Sequence, residues 1–249
     1  MNITIWNERS CQEQKGKQKK AYPDGMQNAI AEIFSEADFN VTVSSQNLED
    51  DGLSEELLKK TDVLIYWAHT LHNKLSDETA ERVFKFVSGG MGAVFLHSSH
   101  VSKPFKRIMG TSGSLKWRED GRHERIYTVS PYHPIANGVP ESFLLKKEEM
   151  YCEYFDIPTP EEIIFLGWYP GGELFRSGFT YHCGEGRVFY FQPGHETFPI
   201  YYDENIKKIL YNAVHWAGKQ DSPVKESFVK ESCPMAMPKD INISLPFKR

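Results

Sequence analysis

Apolar and polar positions alternate between two periods along the first hundred residues. Asn2–Asn7 (NITIWN) is a short apolar strand, followed by a polar loop that closes with YPDG. MQNAIAEIF (Met26–Phe34) has helical spacing, and FNVTVSS (Phe39–Ser45) reads as a second strand. SEELLKK opens on Ser54, an N-cap residue, and Leu57 and Leu58 give it an apolar side. DVLIYWAH (Asp62–His69) is apolar almost throughout, as a strand buried on both faces should be. SDETAERVFKFVSGG predicts an amphipathic helix capped by Ser76 and stopped by Gly89 and Gly90. GAVFLHSSH (Gly92–His100) is a fourth apolar strand with a polar end. This order predicts an α/β fold: three layers, doubly wound, around a mostly parallel sheet.

The second half is denser in strands and turns. RHERIYTVS and ESFLLKKEEMY are strands or extended loops; EIIFLGW, GELFRSGFTYH and GRVFYF are strands separated by Pro and Gly. NIKKILYNAVHWAG (Asn205–Gly218) is a final helix. Residues 1–218 therefore form one domain with extra strands in its second half. Residues 219–249, proline-containing and without period, are a disordered tail or an extended arm, favoured here as an arm to a second subunit of a homo-oligomer.

Composition narrows the class. The chain has 249 residues, 40% hydrophobic, enough for one sizeable core. The net charge is -5, and no basic stripe suggests nucleic acid. The run KGKQKK (Lys15–Lys20) reads as a solvated loop. No apolar run reaches the ~18–20 residues of a membrane helix, and the first residues lack a signal-peptide layout. The expected location is the cytoplasm. Cys11, Cys152, Cys183 and Cys233 are scattered without a CxxC, which argues against a cysteine-held zinc and against disulfides.

Ligands in doubly wound sheets sit beyond the carboxyl ends of the strands. Three histidines follow apolar strands: His69, His97 and His195. Converging imidazoles make a divalent metal site, since zinc accepts three N/O ligands plus water; singly, each is a polar residue at a strand end. His72 and His100 follow His69 and His97 at a spacing of three. Glu148 and Glu149 lie among apolar residues and Tyr151, so one of them either points inward, as ligand or general base, or decorates a strand edge. No GxGxxG follows a strand, so no nucleotide cofactor is expected. No GxSxG elbow exists, and HSSH around Ser98 and Ser99 lacks its glycines.

The segments YPDGM, DVLIYWAH, GGMGAVFLHSSH, TSGSLKWRE, HPIANGVPESF, EEMYCEYFDIP, GGELFRSGF and GRVFYFQPGHETFPIYY together resemble the ThuA-like (trehalose utilisation) family, in order and up to about Gly218. The resemblance implies a flavodoxin-like, class I glutamine amidotransferase-like fold. In that fold a cysteine nucleophile sits at a strand-to-helix elbow, activated by a His-Glu pair after a late strand. Here the elbow falls at LHSSH, which has no cysteine, while His195 and Glu196 keep the pair. The resemblance thus implies the pocket and argues against glutamine hydrolysis. It implies a carbohydrate ligand and an enzyme on a sugar or keto-sugar derivative. His195, Glu196 and Glu149 are its candidate catalytic residues. A divalent metal, zinc by preference, is expected on His69, His97 and His195 in place of the thiol. Arg9, Asp24, Trp67, Arg118, Tyr151 and Arg176 are the candidate sugar contacts, with Trp6, Trp117 and Trp168 as further stacking faces and Glu119 as a further hydroxyl partner. Asp24 serves equally as a helix N-cap. The alternatives are a non-catalytic sugar-binding or regulatory domain that kept the pocket, and a hydrolase using Ser98 or Ser99.

Overall fold

The computed structural model describes residues 1–35 and 39–218; the expected C-terminal arm lies outside the described residues. The first half alternates strands and helices. Its strands are β1 (Asn2–Asn7), β2 (Asn40–Ser45), β3 (Val63–Trp67) and β4 (Gly92–Leu96). Its helices are α1 (Gly16–Ala21), α2 (Met26–Glu32), α3 (Glu55–Lys60), α4 (Asp77–Ser88) and α5 (Lys103–Met109). The second half holds β5 (Lys116–Arg118), β6 (Glu124–Thr128), β7 (Ser142–Leu145), β8 (Met150–Cys152), β9 (Glu162–Trp168), β10 (Leu174–Cys183), β11 (Gly186–Phe191) and α6 (Glu204–Ala217).

Nine strands form one mixed sheet in the order β2-β1-β3-β4-β11-β10-β9-β6-β7, and β5 and β8 make a separate antiparallel ribbon. The first five in that order are parallel; from β11 outward the pairing is antiparallel. All of β3 and all of β4 are buried, as their unbroken apolar runs demand. Alternate residues feed opposite faces. Ile3, Ile5, Val63, Ile65, Trp67, Val94, Leu96, Phe189 and Phe191 meet the buried sides of α2 and α6. Trp6, Leu64, Tyr66, Ala93, Phe95, Val188 and Tyr190 meet those of α3, α4 and α5.

Caps fix the helix starts. Ser54 accepts from Leu57 N–H, Ser76 from Thr79 N–H and Asp203 from the N–H groups of Asn205 and Ile206. Two readings of the first loop change. KGKQKK is mostly helix α1 rather than loop; only Gln18 of that helix is buried, so no apolar stripe announced it. Gly25, not Asp24, stands at the N-cap of α2.

The sheet register positions the site. Asn7, Trp67, Leu96 and Phe191 are successive partners across β1, β3, β4 and β11, at or near the carboxyl end of each strand. Glu8, His69, His97 and His195 follow those four residues by one, two, one and four positions, so the topology brings them to one rim. No helix among the described residues is long and apolar enough to cross a membrane.

Candidate functional site

At that rim three imidazoles meet. The His69 ring lies 5.2 Å from His97 and 5.2 Å from His195, and His97 lies 5.5 Å from His195. Two carboxylates join them: Glu196 Oε2 is 2.8 Å from His69 Nδ1, and Glu149 Oε2 is 3.2 Å from His97 Nε2.

His97 is the elbow residue itself. It follows β4 directly with φ 54°, a left-handed conformation costly for a side chain other than glycine. Its ring lies between two near-parallel aromatic rings, Trp67 at 6.3 Å and Tyr151 at 5.5 Å. Its Nδ1 donates to the Gln192 carbonyl (3.1 Å), which leaves the Nε2 lone pair facing Glu149. Burial works against a charge on this ring, but Glu149, with Glu148 and Glu196, raises its pKa above the usual value.

His195 differs. The Thr197 backbone N–H points at its Nδ1 (3.3 Å), as does the Thr197 hydroxyl (2.9 Å). A backbone N–H can only donate, so neutral His195 carries its proton on Nε2, which faces Glu119 Oε1 at 3.7 Å. Burial, reinforced by His97, lowers its pKa to about 4, so it is neutral at pH 7. The expected His195–Glu196 pair is not hydrogen-bonded: Glu196 Oε2 stands 3.9 Å from His195 Nδ1 and serves His69 instead. Against the cost of burial, His69 and then His195 and His97 hold the Glu196 pKa down to about 2. Glu149 is likewise lowered, burial opposing and His97 prevailing.

Glu148 and Glu149 are both buried and face opposite ways. Glu148 Oε1 accepts from the N–H groups of Glu149 (2.9 Å) and His195 (3.2 Å), and Oε2 from Gly194 N–H (3.1 Å). Burial pushes its pKa up to about 7, although His97 and these three donors favour the anion. Gly194 has φ 156° and sits so tightly that a Cβ would come within 3.0 Å of His97 Cβ and 2.5 Å of the Tyr201 hydroxyl.

The corresponding anchor of the His69 loop is Glu8, which the search for chemistry in the sequence passed over. Its buried carboxylate accepts from the N–H groups of His69 (2.9 Å), Thr70 (2.9 Å) and Leu71 (2.8 Å). The same signal that marked the histidines, a polar residue ending an apolar parallel strand, also marks Glu8. Behind the site, Gln192 Nε2 donates to the Glu149 carbonyl (3.1 Å), and its Oε1 accepts from the Tyr169 hydroxyl (2.9 Å).

The remaining candidates scatter. Arg9 is partly exposed, with Nη2 3.3 Å from Thr70 Oγ1 and Nε 3.9 Å from Glu8. Trp67 is buried, its indole N–H bonded to the Gly194 carbonyl (2.9 Å), and it presents no face to a sugar. Tyr151 is buried with its hydroxyl on Ser98; Ser99 Oγ is buried without a hydrogen-bond partner, so neither serine hydroxyl is hydrogen-bonded to an imidazole. Arg176 is committed to Glu153 (two contacts of 2.8 Å) and the Phe155 carbonyl. Arg118 is committed to Asp120 (2.6 Å) and Glu173 (2.8 Å). The Asp24 side chain is exposed, and only its carbonyl is engaged, by Asn28. Trp6 stacks on Tyr66 in the core; Trp117 is exposed. His72 bonds the His69 carbonyl, and His100 the Gly113 carbonyl.

The donor atoms suit a metal ion. His69, His97 and Glu149 each offer a ligand atom within 4.8 Å of the others, as do His69, His195 and Glu196. His69 Nδ1 and Glu196 Oε2 (2.8 Å), and His97 Nε2 and Glu149 Oε2 (3.2 Å), are buried and face each other in pairs that lack hydrogen-bond geometry, contacts that a shared proton or metal cation would satisfy. Two imidazoles and carboxylates are a zinc-type donor set. The tautomers favour the first group over the expected three histidines. His97 uses Nδ1 on the Gln192 carbonyl and turns Nε2 inward, where a metal can replace its proton, whereas the Nδ1 lone pair of His195 is taken by Thr197.

Fold and site together define a mixed α/β protein with a histidine–carboxylate centre at the carboxyl rim of its parallel strands. The ThuA family model, described as trehalose utilisation, matches residues 2–217, and the chain belongs to that family. No curated protein matches it in sequence. Among solved structures, a ThuA-like protein from Bacteroides uniformis superposes with TM-score 0.65 at 15% identity, over 87% of this chain and 90% of that one. One from Parabacteroides merdae gives 0.61 at 18%, over 90% and 92%. A β-galactosidase from Rahnella shares the fold over 86% of this chain but 30% of its own, with TM-score 0.56 and 12% identity.

Proposed function

We propose that the chain is an enzyme of carbohydrate utilisation acting on a sugar or keto-sugar derivative at the histidine–carboxylate centre, as a hydrolase, lyase or isomerase. The supporting observation is the convergence of His69, His97, Glu149 and Glu196, whose buried facing atoms meet one another and, among the described residues, no group outside the cluster. Of these, His69, His97 and Glu149 would hold a divalent cation, zinc by donor chemistry. When bound, it supplies Lewis-acid polarisation of a substrate oxygen.

The chain's own residues do the rest. His195, neutral because burial and His97 lower its pKa to about 4, presents Nε2–H and donates it to charge developing on a substrate oxygen. Thr197 holds the tautomer. Glu196, held anionic, orients His69, and the Gln192 carbonyl orients His97. Lacking a cysteine at the elbow, the chain has no thiolate for amide hydrolysis. Elemental analysis and an assay on trehalose and its keto derivatives, with and without chelator, test the reading. The expected result is about one ion per chain, turnover abolished by chelation, and at least a ~100-fold loss in His195→Ala with partial retention in His195→Gln, which keeps an N–H. Absence of metal with unchanged thermal stability after chelation, or full turnover in His195→Ala, overturns it. Sugar binding without turnover would instead establish the non-catalytic alternative.

A further inference from the structure

A cleft of about 610 Å³, roomy enough for a mono- or disaccharide, opens beside the centre. Thr197 and Phe198 line one side and Glu119 another. Thr197 is the residue that holds His195, and Phe198 lies 5.0 Å from its ring. Glu119 is the carboxylate facing His195 Nε2. The cleft wall is therefore built in part from the residues that contact buried His195, Glu119 on its Nε2 side and Thr197 on its Nδ1 side.

Its charge is lopsided. Lys17 and Lys20, one helical turn apart on α1, and Lys147, just before Glu148, line it. None of the three lysines has an ion-pair partner among the described residues. The second acidic group, Asp120, is already engaged by Arg118 (2.6 Å) and Arg122 (3.8 Å). Three uncommitted cations thus face a single uncommitted carboxylate, in a chain whose net charge is -5. Such a local reversal of sign attracts an anion and raises its local concentration.

Resting on the enzyme reading above, we infer that the substrate is an anionic sugar, carrying a carboxylate or a phosphate that the Lys17–Lys20–Lys147 side receives while the reacting carbon lies toward His195. A single negative group satisfies the lysines, and the hydroxyl-bearing ring fills the space between Phe198 and Glu119.

The test is calorimetric titration of the full chain with glucuronate, glucose 6-phosphate and glucose. Expected is at least a tenfold tighter Kd for one of the anionic sugars than for glucose, weakening as salt is raised from 20 to 300 mM. Which anion binds separates carboxylate from phosphate. The variant K17A/K20A/K147A should lose that advantage, roughly tenfold if each lysine contributes as a partly exposed ion pair does. His97→Ala should keep it, so loss of the metal-centred reading and loss of this one are distinguishable. Equal affinity for all three sugars, or anion binding unchanged in the triple variant, overturns the proposal.

Discussion

The imidazole cluster and the carboxylate layer behind it use the same residue types, yet their oxygens face different partners. Glu149 and Glu196 turn toward histidines; burial is outweighed and both pKa values fall. Glu148 and Glu8 turn toward backbone N–H groups and fix the two loops that deliver His195 and His69. Adjacent residues, Glu148 and Glu149, thus have opposite tasks. A buried carboxylate with several donors aimed at it is structural support. One aimed at an imidazole nitrogen shares a site where a proton or a metal cation can sit. Partner type, more than burial or residue identity, separates the two.

The sharpest way to break this contrast is Glu149→Gln. The amide keeps the shape and removes a ligand, so affinity for added zinc should fall by more than the ~10–100-fold typical of losing an outer partner, with little change in thermal melting of the metal-free chain. Glu8→Gln should do the reverse: zinc affinity falls within that outer-partner range, while melting drops by roughly 5–10 °C for a loss of about 2–3 kcal/mol. Should both variants behave alike, the division between facing and anchoring carboxylates fails.

A smaller effect comes from His100, buried and bonded to the Gly113 carbonyl. Burial lowers its pKa to about 3. Its folded value lies below the unfolded one, so stability is intact above about 6.5 and is lost as pH falls toward 3. By pH 5 the loss is about 2 kcal/mol. Denaturant melts at pH 7 and pH 5 should show that decrease, and His100→Gln should flatten it. Smallest of all, Arg118→Ala breaks only exposed pairs with Asp120 and Glu173. Zinc affinity and melting should stay where they were; a large fall in either would move Arg118 into the site.

The parallel half was legible because burial on both faces forces unbroken apolar runs, and β3 and β4 are such runs. The histidine rim followed from the rule for strand ends. What stayed hidden depends on contacts distant in sequence. Arg176 and Arg118 looked free for hydroxyls, yet their acids stand 23 and 55 positions away. Trp67 looked like a stacking face, yet the sheet buries it beneath Gly194. The His195–Glu196 adjacency suggested a pair, whereas the turn sends one side chain toward Thr197 and the other toward His69. Glu8 lay in plain view, but a lone acid after a strand has many uses until three N–H groups converge on it.

β11 is slotted between β4 and β10, more than ninety residues from the first of them along the chain. Until that strand is threaded into place, His195 is absent from the rim, Glu148 has no Gly194 amide to grip, and His97 lacks the Gln192 carbonyl that aims it. During synthesis the centre therefore stays unassembled while the earlier strands are already pairing, and the cell meets a competent pocket only after the sheet has closed around its middle.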